Sequence, residues 1–242
     1  MKRELLVGLD IGTTKVCVLI ARVKKEGGFE VLGVGRVPSQ GLSKGMVINI
    51  ERTSQAVKRA MRKAELDAAL KVRKAWVSIA GNHIQGQDNR GLVKIENEEE
   101  VISDKDVERV LEDASRLVLP PGREIIHVLP QEFLVDGQGE IRDPIGMRGR
   151  RLEAKVHIVT ASSAHRGNIE DSLRRAGYES EGVVLQSLAS GMATLFPEEQ
   201  DLGVVLLDIG GGTTDLAIFL KEGIRFTRVL AVGGNHITND IA

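Results

Sequence analysis

The sequence contains the same short pattern twice, once near each end of the chain. The first copy, residues 6–20, reads LVGLDIGTTKVCVLI, and the second, residues 205–219, reads VLLDIGGGTTDLAIF. In each copy an apolar run ends in an aspartate, glycine and two threonines follow, and a second apolar run leaves the turn. This pattern predicts a strand, a tight glycine-rich turn and another strand. A hairpin repeated at this separation indicates two similar lobes, each with one turn.

The two turns have the composition of phosphate-binding loops. Glycine permits φ > 0 and lets backbone N–H groups come close to a ligand. Successive N–H groups and threonine hydroxyls form a concavity that suits phosphate oxygens. Asp10 and Asp208 stand at the mouths of the turns, where a carboxylate can hold hydrated Mg²⁺ on a polyphosphate. Either turn alone is equally consistent with an ordinary flexible hairpin, but two turns facing across a cleft could clamp a nucleotide.

Composition restricts the class of protein. The chain has 242 residues, 42% hydrophobic and 28% charged, which predicts a soluble globular protein of one large or two small domains. A net charge of −1 and 3% aromatic residues argue against general binding to nucleic acid or to anionic membranes. Cys17, the sole cysteine, cannot form an internal disulfide, which fits a reducing compartment. No apolar run is long enough for a membrane span or a signal-peptide core.

Other nucleotide and metal motifs are absent from the sequence. Gly33 and Gly35 begin a dinucleotide-like pattern, but the third glycine is missing and the pair lies inside a predicted strand. There is no Walker-type P-loop. The five histidines show no metal-site spacing, and His127 and His157 lie in strand-like runs where a structural role is favoured over a ligand role.

Apolar periodicity gives the predicted elements. Strands are predicted at 5–9, 15–23, 29–37, 75–80, 91–95, 125–129, 132–136, 152–160, 182–185, 202–207, 215–220 and 224–232, and helices at 51–70, 103–117, 162–176 and 188–195. Asn49 and Ser103 are predicted helix N-caps, and Gly177 is a predicted helix end. The basic outer face of the first helix is either a solvated surface or a partner site. Residues 84–156, called the insert below, read as a β-α-β-β unit without a catalytic cluster and are assigned to interaction.

Further phrases carry a resemblance to a known family. They are VLQSLAS at 184–190, HVLPQEF at 127–133, KVHIVT at 155–160 and GGNHIT at 233–238. With the two turns, they resemble the actin-like ATPase superfamily and, within it, the bacterial cell-division family FtsA, over essentially the whole chain. The turns resemble the two phosphate motifs of the superfamily, and the segment around Gln186 resembles its first connecting motif.

The resemblance implies a fold and a cellular role. The implied fold is α/β: a first actin-like (ribonuclease H-like) lobe at 1–83 and 157–181, an FtsA-type (SHS2) subdomain at 84–156, and the incomplete start of a second lobe at 182–242. The family binds ATP with Mg²⁺, self-assembles into filaments and recruits later division proteins, partly through the insert. It anchors FtsZ filaments at the inner face of the cytoplasmic membrane through a C-terminal amphipathic helix. Family chains are longer, so the adenosine motif, the FtsZ contact and that helix are expected beyond Ala242. The chain is therefore expected to be either a fragment or the product of a broken open reading frame.

The mechanistic hypothesis assigns a role to each site residue. Asp10 and Asp208 hold hydrated Mg²⁺, Lys15 neutralises phosphate charge, and Gln186 orients the attacking water. Backbone and hydroxyl donors come from Gly12, Thr13 and Thr14 in the first turn and from Gly210, Gly211, Gly212, Thr213 and Thr214 in the second. The alternatives are a solvated lysine at a strand edge for Lys15 and a polar helix-start residue for Gln186. Any ATPase activity is expected to be slow.

Three functions remain open at this stage. The first is a nucleotide-controlled adaptor in cell division. The second is a small-molecule kinase of the same fold, although no base for a second substrate is evident outside the turns. The third is an interaction module that binds no nucleotide.

Overall fold

The computed structural model describes residues 5–242. Along the chain, the elements are β1 (Leu5–Ile11), β2 (Lys15–Val23), β3 (Phe29–Pro38), β4 (Leu42–Ser43), β5 (Met46–Val47), α1 (Ile50–Ala68), β6 (Lys74–Ile79), β7 (Gln85–Lys94), α2 (Asp104–Ala114), β8 (Arg123–Val135), β9 (Gln138–Ile141), β10 (Arg151–Ser162), α3 (Ser163–Ala176), β11 (Glu179–Leu185), α4 (Gln186–Thr194), α5 (Pro197–Leu202), β12 (Val204–Ile209), β13 (Thr214–Leu220), β14 (Gly223–Leu230) and α6 (Gly234–Ile241). None of the helices in the described range is long and apolar enough to cross a bilayer.

The largest sheet has five strands in the order β11-β6-β1-β2-β3. β1, β2 and β3 pair antiparallel as consecutive hairpins, whereas β6 pairs parallel with both β1 and β11. Helices α1 and α3 pack against this sheet, and their buried residues share an apolar core with it, called the first core below. The predicted N-cap of α1 is confirmed, because Asn49 Oδ1 accepts a hydrogen bond from the Arg52 N–H at 2.9 Å.

Two glycines allow α1 to lie directly on β3. A Cβ atom at Gly35 would stand 1.9 Å from the Ala60 carbonyl oxygen, and one at Gly33 would stand 2.4 Å from the Ala64 carbonyl oxygen. Both distances are far below van der Waals contact, so a side chain at either position would push the helix away. These glycines therefore serve helix packing, which gives the physical reason for rejecting the dinucleotide motif.

The insert contributes a second sheet of four antiparallel strands in the order β7-β10-β8-β9. Helix α2 packs on this sheet, and Val110 of α2 and Leu152 of β10 are buried in its core, called the insert core below. The predicted start of α2 is confirmed, because the N–H and the hydroxyl of Ser103 both donate to Asp106 Oδ2, at 3.0 and 2.6 Å.

Several predicted boundaries in the insert were wrong. β7 begins at Gln85, before the predicted start at residue 91, and its first half was missed because it is polar and carries no apolar alternation. The two strands predicted between 125 and 136 are one strand, β8, which runs through Pro130. The pairing of β8 with β10 shifts between Lys155 and Val156, beside Pro130, and a shift of this kind tolerates a missing N–H. A short strand, β9, lies in the predicted loop, and α2 ends at Ala114 instead of 117.

A third sheet, β12-β13-β14, is antiparallel and holds the second turn between its first two strands. Ala217, Phe219 and Ile224 are buried in a third, small core. Helix α4 begins at Gln186, two residues before the predicted start. The predicted strand start at Leu202 was wrong, because this residue ends the short helix α5.

One strand of the insert contacts all three cores. In β8, Ile126 packs against the first core and Val128 against the insert core, while Leu129 packs against both the first and the third. β8 therefore ties the insert to both halves of the structure, which matters for the site described below.

Candidate functional site

The two predicted turns have the same backbone geometry. The Gly12 N–H donates to the Lys15 carbonyl at 2.9 Å, and the Gly210 N–H donates to the Thr213 carbonyl at 2.8 Å. Asp10 and Asp208 each lie two residues before that glycine. Each is the penultimate residue of a strand that pairs with the strand after the turn. The sequence repeat therefore corresponds to a structural repeat.

The turns face each other across a cleft. A Cβ atom at Gly211 would lie 2.3 Å from Thr14 Cγ2, and one at Gly212 would lie 2.8 Å from Thr13 Oγ1. The second turn therefore presents bare backbone directly against the threonines of the first. Within residues 5–242, the N–H groups of Gly211 and Gly212 donate no hydrogen bond to the protein. Gly211 lines the cleft and can offer its N–H to a ligand, whereas Gly212 is buried.

The cleft has a volume of about 540 Å³, and most of the predicted site residues line it. These residues are Asp10, Gly12, Thr13, Thr14, Lys15, Gln186, Asp208, Gly210, Gly211 and Thr213. Gly212 packs behind them on Thr13. Thr214 is not brought into the lining, because its hydroxyl donates to the Val232 carbonyl at 2.7 Å.

Helix α4 holds the aspartate of the second turn. Asp208 Oδ2 accepts hydrogen bonds from Ser190 Oγ at 2.7 Å and from Gln186 Nε2 at 3.3 Å. Gln186 and Ser190 are four residues apart and so lie on one face of α4. The orientation of this helix therefore fixes which groups surround the Asp208 carboxylate.

The aspartate of the first turn is held by a strand of the same sheet. Asp10 Oδ1 accepts a hydrogen bond from Ser78 Oγ of β6 at 2.7 Å. Burial raises the pKa of Asp10 above its usual value, and the Ser78 hydrogen bond and the charge of Lys15 oppose that rise. The negative charge of Asp208 raises the Asp10 pKa further, so the two carboxylates interact electrostatically across the cleft.

A third carboxylate, Asp215, stands behind the cleft and was missed by sequence reasoning. It is fully buried on β13, paired in register with Asp208, and neither of its oxygens has a hydrogen-bond partner among the described residues. Burial, reinforced by the charge of Asp208, raises the pKa of Asp215 to about 7, and the neighbouring Thr213 side chain opposes this rise. The repeat gives no signal for it, because Asp215 pairs with Asp208 as Cys17 pairs with Asp10, so the first copy has a cysteine at the matching position.

Three other residues at the cleft were also missed. Ser78 and Ser190 hold the two aspartates, and Arg36 of β3 adds a cation to the lining. Single serines and arginines carry no local pattern, so only the tertiary structure shows that they converge.

Two carboxylates, Asp10 and Asp208, line the cleft. No three His, Cys, Asp or Glu side chains among residues 5–242 are close enough together to ligate a metal ion. The charge of Asp208 raises the pKa of both Asp10 and Asp215, so the three carboxyl groups lie close enough to interact electrostatically. A cation held there through water would offset this charge.

Solved structures share this arrangement of sheets. The PilM-PilN type IV pilus biogenesis complex superposes with a TM-score of 0.69 at 20% identity, covering 99% of this chain and 65% of that one. The ethanolamine utilization protein EutJ from Carboxydothermus hydrogenoformans superposes with a TM-score of 0.56 at 16% identity, covering 100% and 57%. The protein has the actin-like ATPase fold, here with an SHS2 domain inserted.

Sequence relatives narrow this class to one family. The family model for the SHS2 domain inserted in FtsA matches residues 81–160, and the model for cell division protein FtsA matches residues 205–242. Cell division protein FtsA of Pseudomonas aeruginosa is 45% identical over 99% of this chain, and that of Borreliella burgdorferi is 43% identical over 100%. The chain spans 57% and 59% of these two relatives. It belongs to the FtsA family of cell-division proteins.

Proposed function

We propose that the chain binds Mg·ATP between its two turns and that the nucleotide controls its conformation and assembly. The observation that carries this proposal is the approach of the second turn to the first, with Gly211 and Gly212 against Thr14 and Thr13. Two facing turns with free backbone donors suit the phosphate groups of a nucleotide. A hairpin that served only the fold would not require a second turn opposite the first.

Each side chain then has a defined task. Lys15 and the N–H groups of the turns bind phosphate oxygens, and Asp10 and Asp208 hold a cation through water. The Mg²⁺ of the bound nucleotide would supply charge neutralisation on the phosphates. Gln186, fixed on Asp208, can orient a water molecule for slow hydrolysis.

A single substitution tests the assignment. Asp208→Ala removes the carboxylate that Gln186 and Ser190 hold, so the affinity for Mg·ATP should fall about tenfold to a hundredfold. Calorimetric titration with Mg·ATP measures this change. Glu198→Gln, at an exposed position of α5, is the matched control and should bind as the parent does. Equal affinity in Asp208→Ala and the parent would refute the assignment, and no binding in the parent would favour a pure interaction module.

Family membership supports the cellular part of the proposal. We propose an adaptor that helps assemble the division ring, anchoring FtsZ filaments to the inner face of the cytoplasmic membrane in the whole protein. Self-association and recruitment of later division proteins through the insert belong to the same proposal. A fluorescent fusion of the whole protein should concentrate at the division site of its source cells. Uniform fluorescence in dividing cells would contradict this role.

We also propose a domain organisation for the chain. Residues 1–83 and 157–181 form the lobe of the first turn, residues 84–156 the interaction subdomain, and residues 182–242 the start of the lobe of the second turn. β10 crosses the second of these boundaries, since it runs unbroken from Arg151 to Ser162. Limited proteolysis should therefore cut within loops of the insert before it cuts at residue 157.

A further inference from the structure

The insert makes one hydrogen bond at the edge of the nucleotide cleft. β11 is an edge strand of the five-stranded sheet, and its last residue, Leu185, precedes Gln186. The Leu185 N–H donates to Nε2 of His127, on β8 of the insert, at 3.0 Å. Leu185 is fully buried, so this N–H has no access to bulk water as an alternative partner.

The residue that donates this hydrogen bond lies at the start of helix α4. Leu185 is the N-cap of α4, and Gln186 is the first residue of that helix. Its side-chain amide and the Ser190 hydroxyl, one turn later, both donate to Asp208. A displacement at Leu185 therefore moves both donors relative to the carboxylate of the second turn.

His127 is well suited to act as a fixed acceptor. It lies on the strand that contacts all three cores, between Ile126 and Val128, which pack on the first core and the insert core. Burial lowers the pKa of His127, which keeps its ring neutral and leaves Nε2 free to accept. The anchor of α4 is therefore part of the insert and not of the lobe that carries α4.

We propose that His127 is a positioning residue for the nucleotide cleft, fixing the backbone from which Gln186 and Ser190 reach Asp208. The inference rests on the proposed nucleotide function. It gives the insert a second role beside interaction, because a segment without any group in the cleft sets the geometry of the candidate water-orienting side chain.

Three variants separate positioning from general stability. His127→Phe keeps a ring of similar size but removes the acceptor, whereas His127→Gln keeps an acceptor at a similar distance from the backbone. Glu124→Gln is the matched control, because Glu124 lies on the same strand and pairs with Arg166 at 3.0 Å, away from α4.

The first readout needs no nucleotide. In NMR spectra of the nucleotide-free chain, the side-chain amide signals of Gln186 report its hydrogen bond to Asp208. His127→Phe should shift these signals, while His127→Gln and Glu124→Gln should leave them near the parent positions. Unshifted Gln186 signals in a folded His127→Phe protein would overturn the proposal, whether or not the chain binds ATP.

The second readout is Mg·ATP turnover, measured as phosphate release. His127→Phe should lower turnover by about tenfold or more and should change Mg·ATP affinity much less. The same substitution should not lower turnover further in a Gln186→Leu background, because both changes remove the positioned Gln186 side chain. Equal losses in both backgrounds would overturn the proposal. A parent that binds no Mg·ATP would refute the proposed function instead, and the Gln186 signals would then decide the role of His127.

Discussion

At the scale of single residues, Asp215 is the group whose surroundings depart most from those of a free carboxylate. It is fully buried beside Asp208, without a hydrogen-bond partner among residues 5–242. A group of this kind binds a proton more tightly in the folded than in the unfolded chain. Its neutral form is therefore favoured in the folded chain.

The raised pKa of Asp215 predicts that the stability of the fold depends on pH. The pKa of Asp215 rises from 3.8 to about 7 on folding, so the unfolded chain loses this proton first as pH rises. The free energy of unfolding should then fall between pH 4 and 7, by roughly 4 kcal/mol at most. Urea unfolding in EDTA at several pH values measures it. In Asp215→Asn the fall should be much smaller, whereas Glu198→Gln should behave as the parent. The same slope in Asp215→Asn and the parent would show that another group is responsible.

At the scale of elements, local signals account for what sequence could predict. α1 has a strong apolar stripe and a capping asparagine, and the strands that leave the two turns, β2 and β13, are long apolar runs, so these elements were predicted well. β7 was predicted poorly because its partner β10 supplies the apolar half of the pairing. The same holds for the site. The turns could be predicted because their sequence pattern is repeated, whereas the roles of Ser78 and Ser190 depend on tertiary contacts that no local pattern indicates.

The packing of α1 on β3 gives a prediction at this scale. Gly35→Ala places a Cβ atom 1.9 Å from the Ala60 carbonyl, so it should lower the free energy of unfolding by about 3 kcal/mol. Gly8→Ala is the matched control, because nothing lies within 4 Å of its added Cβ atom, and its effect should stay within about 0.5 kcal/mol. Denaturant unfolding compares the two. Equal effects would mean that strand propensity, and not the helix contact, decides the outcome.

At the scale of the whole molecule, a polar bridge joins the sheet of the insert, through β10 and the insert residues Asp88 and Gln131, to the third sheet. His157 of β10 is buried, and its ring nitrogens pair with Asp88 Oδ1 at 2.7 Å and with Thr227 Oγ1 of β14 at 2.9 Å. Gln131 Nε2 donates to Asp88 Oδ1 and to the Ile224 carbonyl, both at 3.2 Å. With the contacts of β8, this bridge makes the insert a structural link between the two halves of the cleft.

Removing one hydroxyl tests this link. Thr227→Val keeps the shape of the side chain but leaves His157 Nε2 buried without a partner, which should cost about 1–2 kcal/mol. Thr227→Ser keeps the hydroxyl and should retain most of the stability. Hydrogen exchange should show faster opening of β14 and β10 in Thr227→Val alone. Similar exchange in the two variants would indicate that packing, and not the hydrogen bond, joins these parts.

The measurement that tests the central claim most directly is a double-mutant cycle across the cleft, read as Mg·ATP affinity by calorimetry. A Cβ atom at Gly211 would lie 2.3 Å from Thr14 Cγ2, so Gly211→Ala should force the turns apart and weaken binding. Thr14→Ser removes that methyl group, and Gly211→Ala with Thr14→Ser should therefore recover most of the lost affinity. Recovery is the predicted result for two turns that act as one clamp. Losses that simply add, or an affinity that Gly211→Ala leaves unchanged, would contradict the account.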